Sequence, residues 1–154
     1  MIWGLRSGVG AALMLWAPLA FAASAPAEAV RAVYEQYLAA EKTGAMGPDQ
    51  LDPKLYTPRV RGLIAKLQKA CKGKDICLPD ADFLVDGQDF KITDLTIRVI
   101  SDQNGRAMIE ATFKNFGTQV KRVFTLREIG GRWLIDDIDF GGGEKLKDQL
   151  KPNP

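Results

Sequence analysis

Apolar side chains recur with the period of a helix in the part of the chain that follows residue 25. Pro26 occupies a position that is favoured in the first turn of a helix. The next apolar positions have the spacing i, i+3, i+4, i+7 and i+8: Val30, Val33, Tyr34, Tyr37 and Leu38. This spacing predicts an amphipathic helix over residues 26 to 42, with one face buried.

A second run with the same period begins after a break at residues 44 to 48. Thr57 has a side chain suited to a helix cap, and Pro58 favours the first helical position. One apolar stripe runs along the turns that follow: Val60, Leu63, Ile64, Leu67 and Cys71. The pattern predicts a second helix that ends near Lys72. Each helix has only one apolar face, so both need a partner to pack against.

The period changes to two from Leu95 onward, as in a strand with one buried face. Asn104 and Gly105 form the dipeptide typical of a tight hairpin turn. Three further strand segments are predicted: Arg106 to Lys114, Thr118 to Ile129 and Arg132 to Phe140. Residues 144 to 151 predict a short C-terminal helix. The sequence thus predicts an α+β fold, with the helices across one face of a curved antiparallel meander of about four strands.

The N-terminal residues have the pattern of a targeting segment. Arg6 is the only charged residue among the first 27, and Val9 to Phe21 form an apolar run of 13 residues. This pattern predicts a secretory signal peptide over residues 1 to 22. The run is shorter than the about 20 residues of a spanning helix, so no membrane anchor is expected. We therefore expect one domain over residues 23 to 154 and a periplasmic location, with secretion as the alternative.

The chain has two cysteines, Cys71 and Cys77. In an oxidising compartment, an even number of cysteines in a small domain indicates a disulfide bond. A zinc site needs more ligands than these, and redox-active pairs usually have the spacing C-x-x-C. We therefore expect a structural disulfide and no metal site.

The composition excludes further classes of catalytic site and of binding partner. The chain has 154 residues, of which 46% are hydrophobic and 26% charged, as is typical of one soluble globular domain. It contains no histidine, which excludes histidine-dependent triads and imidazole proton shuttles. The formal net charge of +2 is low for a nucleic-acid-binding protein, so no nucleic-acid partner is expected. No cofactor motif is present, and we expect no cofactor.

Three segments resemble a family of exported bacterial proteins. They are residues 82 to 90 (DFLVDGQDF), 111 to 117 (ATFKNFG) and 132 to 138 (RWLIDDI). These segments look like the group known as domain of unknown function 3828, which is similar in layout to the nuclear transport factor 2-like superfamily. The resemblance covers nearly all of residues 26 to 150 and implies a cone-like fold with a pocket. Members of the superfamily use that pocket for small ligands or for catalysis, but the family brings no known catalytic residues to this chain.

Four residues are candidates for binding a ligand in such a pocket. Tyr34 and Tyr37 lie on the buried side of the first helix, where their hydroxyl groups could donate to a ligand or simply pack in the core. Gln88 and Asp89 are candidates for the rim of the pocket. They belong to a predicted turn, residues 86 to 89, whose aspartate side chains we expect to accept bonds from backbone amides. No residue is assigned as catalytic.

The last predicted strand carries two adjacent acids, Asp136 and Asp137. Neighbouring strand residues point to opposite faces, and we expect Asp137 to share the helix-covered face with Trp133 and Ile135. Trp133 and Phe113 are both expected to be largely buried. A carboxyl among apolar walls has a raised pKa and becomes a usable acid or base, so Asp137 is a fifth candidate for ligand binding. The alternative is that one acid lies at a rim and the other accepts backbone hydrogen bonds.

A basic segment and an acidic segment adjoin each other. Residues 54 to 74 contain seven basic side chains and no acid, whereas residues 75 to 94 contain six aspartates against Lys91 alone. The aspartate spacing does not match a calcium-binding EF-hand loop. The basic run could contact lipid head groups, cell-wall polymers or an acidic partner. Alternatively, it is a solvated helix face, or the acidic segment neutralises it.

These patterns favour a small exported protein that binds a small ligand or a periplasmic protein without catalysis, as a monomer or a homodimer. One alternative is an enzyme that uses a pocket aspartate as an acid or base on a small molecule. Another is a periplasmic inhibitor of a toxin or a cell-wall enzyme. A deep pocket favours ligand binding or catalysis, and an interior filled by side chains favours a partner at the surface.

Overall fold

The structure is a computed structural model that describes residues 25–74 and 77–152. The predicted signal peptide over residues 1 to 22 lies outside the described residues and stays a prediction. Within the described ranges, no helix is both long and apolar enough to cross a membrane.

The helical part of the chain forms as its periodicity predicts. The helices have the following bounds: α1 Pro26–Thr43, a short 3₁₀ helix Pro53–Leu55, and α2 Pro58–Cys71. α1 ends at Gly44, which adopts the left-handed conformation that closes many helices (φ +66°). Thr57 precedes α2, but its hydroxyl makes no capping bond. It donates instead to Asp136 on a distant strand, 2.8 Å away, and so joins α2 to the sheet.

The second part of the chain forms one antiparallel sheet in chain order, which confirms the α+β class. The strands have the following bounds: β1 Ile92–Gln103, β2 Arg106–Asn115, β3 Thr118–Ile129, β4 Arg132–Gly141 and β5 Glu144–Lys145. The sheet has five strands rather than the expected four or so. Three consecutive glycines, Gly141 to Gly143, all with positive φ, turn the chain back onto β4. The final helix, α3 Leu146–Gln149, is therefore shorter than predicted.

A bulge in β4 decides which side chains face the helices. Leu126 of β3 lies opposite Ile135, whereas Thr125 lies opposite Asp137, so Asp136 is an extra residue in β4. Ile135 therefore lies on the inner face with Leu126, and Asp137 lies on the outer face with Thr125. The expectation that Asp137 shares a face with Ile135 is wrong, because the extra residue shifts the alternation by one position.

Aromatic side chains fill the space between α1 and the sheet. The largest fully buried aromatic residues are Tyr34, Tyr37, Tyr56, Phe113 and Phe124. The ring of Tyr34 lies 5.0 Å from that of Phe113 and 6.2 Å from that of Phe124. Phe113 is buried as expected, but Trp133 is only half-buried at the margin of the core. The interior beneath α1 is thus occupied by side chains.

Cys71 and Cys77 stand at disulfide distance, as the sequence predicts. Their sulfur atoms lie 2.10 Å apart, and both residues are buried. The bond joins the last residue of α2 to the segment that leads into residues 82–87. The disulfide therefore ties the chain to α2 shortly before the part that forms the candidate site.

Candidate functional site

A tight turn at residues 82–87 covers one end of the inner face of the sheet. The amide of Asp82 donates to the carbonyl of Gly87 at 2.9 Å, and the amide of Asp86 donates to the carbonyl of Asp82 at 2.8 Å. Asp86 has a positive φ of 63°, which aspartate tolerates better than most residues. The carboxylate of Asp82 accepts a bond from the amide of Leu84 at 2.8 Å. An aspartate carboxylate thus accepts a bond from a backbone amide, as we expected for the turn at residues 86 to 89. The aspartate is Asp82, however, which lies four residues before that predicted turn.

Three buried side chains hold this turn against the core. Tyr37 donates to the carboxylate of Asp82, and Tyr34 donates to the carbonyl of Leu84 at 3.2 Å. Asn115, at the end of β2, donates to the carbonyl of Val85 at 3.0 Å. The turn is therefore fixed from below by hydrogen bonds that reach it from α1 and from the sheet.

Arg122 lies under the turn and is almost completely buried, with 4% of its surface exposed. Its Nε donates to the carbonyl of Phe83 at 2.8 Å, and its Nη1 donates to the carbonyl of Lys121 at 3.0 Å. Its Nη2 donates to the carboxylate of Asp86 at 2.8 Å. The guanidinium carbon stands 4.9 Å from the centre of the Phe140 ring, within range of a cation–π interaction. The position and plane of the guanidinium are thus fixed on several sides.

The two members of the Arg122–Asp86 ion pair have very different environments. The side chain of Arg122 is 5% exposed, whereas that of Asp86 is 65% exposed. A guanidinium has five N–H groups, and three of them make the bonds described above. The other two have no acceptor among the described residues. Within the described part of the chain, this buried cation therefore forms one ion pair, and the carboxylate of that pair lies mainly in solvent.

An open cleft of about 380 Å³ lies beside this ion pair. Its wall combines the turn, the start of β3, the ring of Phe140 and two residues from the C-terminal segment. The lining residues are Ala81, Asp82, Phe83, Asp86, Gln119, Val120, Lys121, Arg122, Phe140, Glu144 and Gln149. We call this space the Arg122 cleft. Most of its lining side chains are polar or charged, which suits a polar ligand better than an apolar one.

The electrostatics of Asp82 and Tyr37 depend chiefly on burial. Burial raises the pKa of the Asp82 carboxyl above its ordinary value, against the hydrogen bonds from Tyr37 and from the amide of Leu84, which lower it. Burial also raises the pKa of the Tyr37 phenol, and the nearby charge of Asp82 raises it further. Tyr37 therefore remains a proton donor throughout the physiological pH range.

The residues predicted to bind a ligand lie in three separate places. Tyr34 and Tyr37 are fully buried and use their hydroxyl groups on the turn. Gln88 and Asp89 are exposed and line a second surface depression, outside the Arg122 cleft. Asp137 accepts bonds from the amides of its neighbour Ile138 and of the first residue of α3. Of these five residues, Tyr37 is the one whose side chain forms a hydrogen bond to a residue that lines the Arg122 cleft.

Asp136 takes the role of a connecting residue. Besides the hydroxyl of Thr57, its carboxylate contacts Arg59 at 3.3 Å and Arg127 at 3.7 Å. One half of the alternative fits the pair, since Asp137 accepts backbone amides. Asp136 instead joins α2 to the sheet through its side-chain contacts.

Arg122 is the residue that sequence reasoning missed, although a signal for it exists. The apolar phase of β3 runs through Val120, Phe124 and Leu126, and Arg122 occupies the position between the first two of these. A cation on the buried phase of a strand needs a partner, because an unpaired buried charge is very costly. Asp86, in a turn already singled out by its composition, is that partner.

Among the residues that the structure describes, no group of three or more acidic or cysteine side chains is placed to hold a metal ion. The resemblance to domain of unknown function 3828 and to the nuclear transport factor 2-like superfamily stays a prediction. Comparisons with family models, with curated proteins and with solved structures give no match to this chain.

Proposed function

We propose that the protein is an exported, non-enzymatic binding domain that holds a small carboxylate ligand in the Arg122 cleft. The single observation that carries this proposal is a buried guanidinium whose one ion-pair partner among the described residues, Asp86, is largely exposed. The filled interior beneath α1 supports the choice of this cleft, because the aromatic rings there leave the ligand no room under the helix.

Arginine suits this role because its planar fork matches a carboxylate and can donate two parallel hydrogen bonds. The bond from Nε to the carbonyl of Phe83 fixes the plane of the guanidinium before any ligand arrives. Less freedom is then lost on binding, which favours affinity. A ligand carboxylate would replace that of Asp86 or use the two remaining N–H groups. Asp86 can swing into water at little cost because its side chain is already mostly exposed.

The remaining parts of the proposal concern shape and location. Two helices across one face of an antiparallel sheet support a nuclear transport factor 2-like, cone-shaped domain. A cysteine pair at disulfide distance supports export to the periplasm. Intact-mass analysis of protein recovered from the periplasm tests the second part, and we expect a chain that begins at about residue 23.

The binding proposal is tested by isothermal titration calorimetry with acetate, succinate and citrate. We expect saturable binding of at least one of them, and a loss of affinity of about 10- to 100-fold in Arg122→Gln, as for a lost charge-assisted hydrogen bond. Arg127→Gln is the matched control, because Arg127 is an exposed arginine of the same strand. It should bind as the parent does.

A second variant makes the test independent of the fold of Arg122→Gln, which also loses its bond to Phe83. Asp86→Asn leaves the guanidinium in place and removes the competing charge, so its affinity for carboxylates should rise. The proposal is wrong if neither the parent nor Asp86→Asn binds any of the three anions. It is equally wrong if Arg127→Gln weakens binding as much as Arg122→Gln does.

One observation favours acid–base catalysis as a second candidate function. Asp82 lines the Arg122 cleft, is bonded to Tyr37 and has a pKa raised by burial. A carboxyl with a raised pKa is a stronger base than an ordinary aspartate and holds a proton to higher pH, as acid–base catalysis requires. Mass spectrometry of a bound carboxylate after incubation distinguishes the two functions. Recovery of the unchanged compound supports binding alone, whereas conversion by the parent that is lost in Asp82→Asn supports catalysis.

A further inference from the structure

α2 presents one strongly basic surface to solvent. Its apolar stripe packs inward, and the opposite side carries cations that continue just beyond the helix. We call the following exposed residues the basic α2 face: Arg61, Lys66, Lys69, Lys72 and Lys74. The sequence has no acidic residue between positions 53 and 74, so no acid on the helix itself offsets these charges.

The described part of the acidic segment that follows forms no ion pair with the basic α2 face. Within residues 25–74 and 77–152, none of the five cations forms an ion pair. Arg59, at the start of α2, is the helix residue that pairs, and its partner is Asp136. Two carboxylates of the acidic segment pair with other cations, since Asp86 pairs with Arg122 and Asp94 with Lys114. Among the described residues, the five charges of the basic α2 face are therefore open to solvent.

The chemistry of this face fits a diffuse anionic surface better than a protein partner. Protein interfaces are depleted in lysine and depend on buried aromatic and arginine anchors. Here four of the five cations are lysines, and α2 exposes no large apolar or aromatic side chain. The exposed residues between the cations of α2 are small or polar, namely Gly62, Ala65, Gln68 and Ala70. Nothing on this face can insert into a membrane, but lysines can reach the head groups of a bilayer.

We propose that the basic α2 face docks the protein onto bilayers that contain anionic phospholipids, without insertion of the chain. α2 has 14 residues, a length of about 21 Å along a straight axis. The exposed cations of α2 itself, Arg61, Lys66 and Lys69, lie opposite its apolar stripe, and Lys72 and Lys74 follow directly after its last residue. A flat anionic surface can therefore contact the helix cations together, and each cation near the surface contributes about a fivefold gain in affinity. This peripheral contact is distinct from ligand binding in the Arg122 cleft, and either can hold without the other.

Sedimentation with vesicles tests the docking. We expect the protein to bind vesicles of phosphatidylcholine mixed with phosphatidylglycerol and to be released by salt, because screening weakens charge attraction. Vesicles of phosphatidylcholine alone should not bind it. The double variant Lys69→Gln with Lys72→Gln should bind about 25-fold more weakly, which is about fivefold for each lysine.

A matched control removes the same net charge from another part of the surface. Lys91 and Lys147 are exposed and have no ion pair among the described residues. Lys91→Gln with Lys147→Gln should bind the vesicles nearly as the parent does, and both double variants should melt as the parent does. The proposal is overturned if the control variant weakens binding equally, if neutral vesicles bind as well, or if the protein binds heparin but not anionic vesicles.

Discussion

The interior beneath α1 and the Arg122 cleft are built on the same face of one sheet, yet they differ in what fills them. In the interior, the rings of Tyr34, Phe113 and Phe124 pack on each other and exclude water. At the cleft, the turn at residues 82–87 stands over a buried arginine and leaves about 380 Å³ open. Packing thus completes the fold in one region, whereas the other region keeps an open space with mostly polar walls.

The two regions are nevertheless joined by the same side chains. Tyr34 and Tyr37 contribute their rings to the interior and their hydroxyl groups to the turn over the cleft. A change in the interior can therefore move the cleft, whereas a change in the exposed Asp86 should leave the interior as it is. We therefore expect substitutions in the interior to affect the cleft as well, and substitutions at the surface of the cleft to leave the interior unchanged.

The largest effect is expected in the interior. Phe113→Ala should lower the free energy of unfolding by about 3 to 5 kcal/mol, because a fully buried ring leaves a cavity that the neighbours fill only in part. Trp133→Ala should cost less, since Trp133 is only half-buried. Urea denaturation measures both values. A loss below about 1 kcal/mol for Phe113→Ala would mean that the interior is not packed as described.

The disulfide is expected to contribute about 2 kcal/mol on the chain-entropy model. Replacing both Cys71 and Cys77 by serine should lower the midpoint of urea denaturation accordingly, and the bond should keep both cysteines unreactive towards a thiol reagent until the protein is reduced. Because the bond fixes the approach to the turn, carboxylate binding should weaken as well. Rapid labelling of both cysteines in the folded, unreduced protein would contradict the bond.

Tyr37→Phe removes the donor to Asp82 and should lower the free energy of unfolding by about 1 to 2 kcal/mol, as for the loss of one hydrogen bond. Burial already raises the pKa of Asp82 in the folded protein. This shift contributes its full stability below the ordinary aspartate pKa of about 4. That stability is lost as the pH rises through the raised pKa of Asp82 in the folded protein. The hydrogen bond from Tyr37 lowers the pKa of Asp82. In Tyr37→Phe this pKa should therefore be higher, and the protein should lose more stability as the pH rises.

The check on Tyr37→Phe is therefore a pair of urea denaturation series, one near pH 4 and one near pH 7. The difference in unfolding free energy between Tyr37→Phe and the parent should be larger at the higher pH. An equal difference at both would show that Tyr37 does not act on the charged form of Asp82.

The smallest effect is expected at the outer face of β4. Asp137→Asn should lower stability by about 1 kcal/mol, since it weakens the bonds to the amides of Ile138 and Leu146. It should leave carboxylate binding unchanged. Thermal melts and calorimetry on the same sample measure both properties. Loss of binding with unchanged stability would show that Asp137 belongs to the ligand site, as the sequence suggested.

The sequence predicted the helices and the four long strands because each has a clear hydrophobic period. It did not place Asp137 correctly, although the apolar phase of β4 changes between Ile135 and Ile138. Which residue is the extra one depends on how two strands pair, and the alternation alone does not determine that. It did not assign Arg122 either, although the apolar phase of β3 contained the clue. The cation becomes informative only when Asp86, 36 residues earlier, is known to reach it.

Tyr34 and Tyr37 also show what hydrophobic periodicity cannot predict. Their spacing correctly placed Tyr34 and Tyr37 on the inner side of α1. Whether a buried hydroxyl group binds a ligand or a backbone carbonyl depends on the turn opposite, and the turn joins α1 only through contacts distant in sequence. Periodicity identifies which face is buried, but long-range hydrogen bonds determine what that face does.

The most direct test of the Arg122 cleft follows the arginine itself. In nitrogen–proton NMR spectra of the labelled protein, the Nε–H signal of Arg122 should shift and saturate as succinate is added. The corresponding signal of exposed Arg127 should not saturate over the same range. A saturable shift at Arg122 is the result that this account predicts. Signals that stay in place at Arg122 while succinate binds elsewhere, or fails to bind, would contradict it.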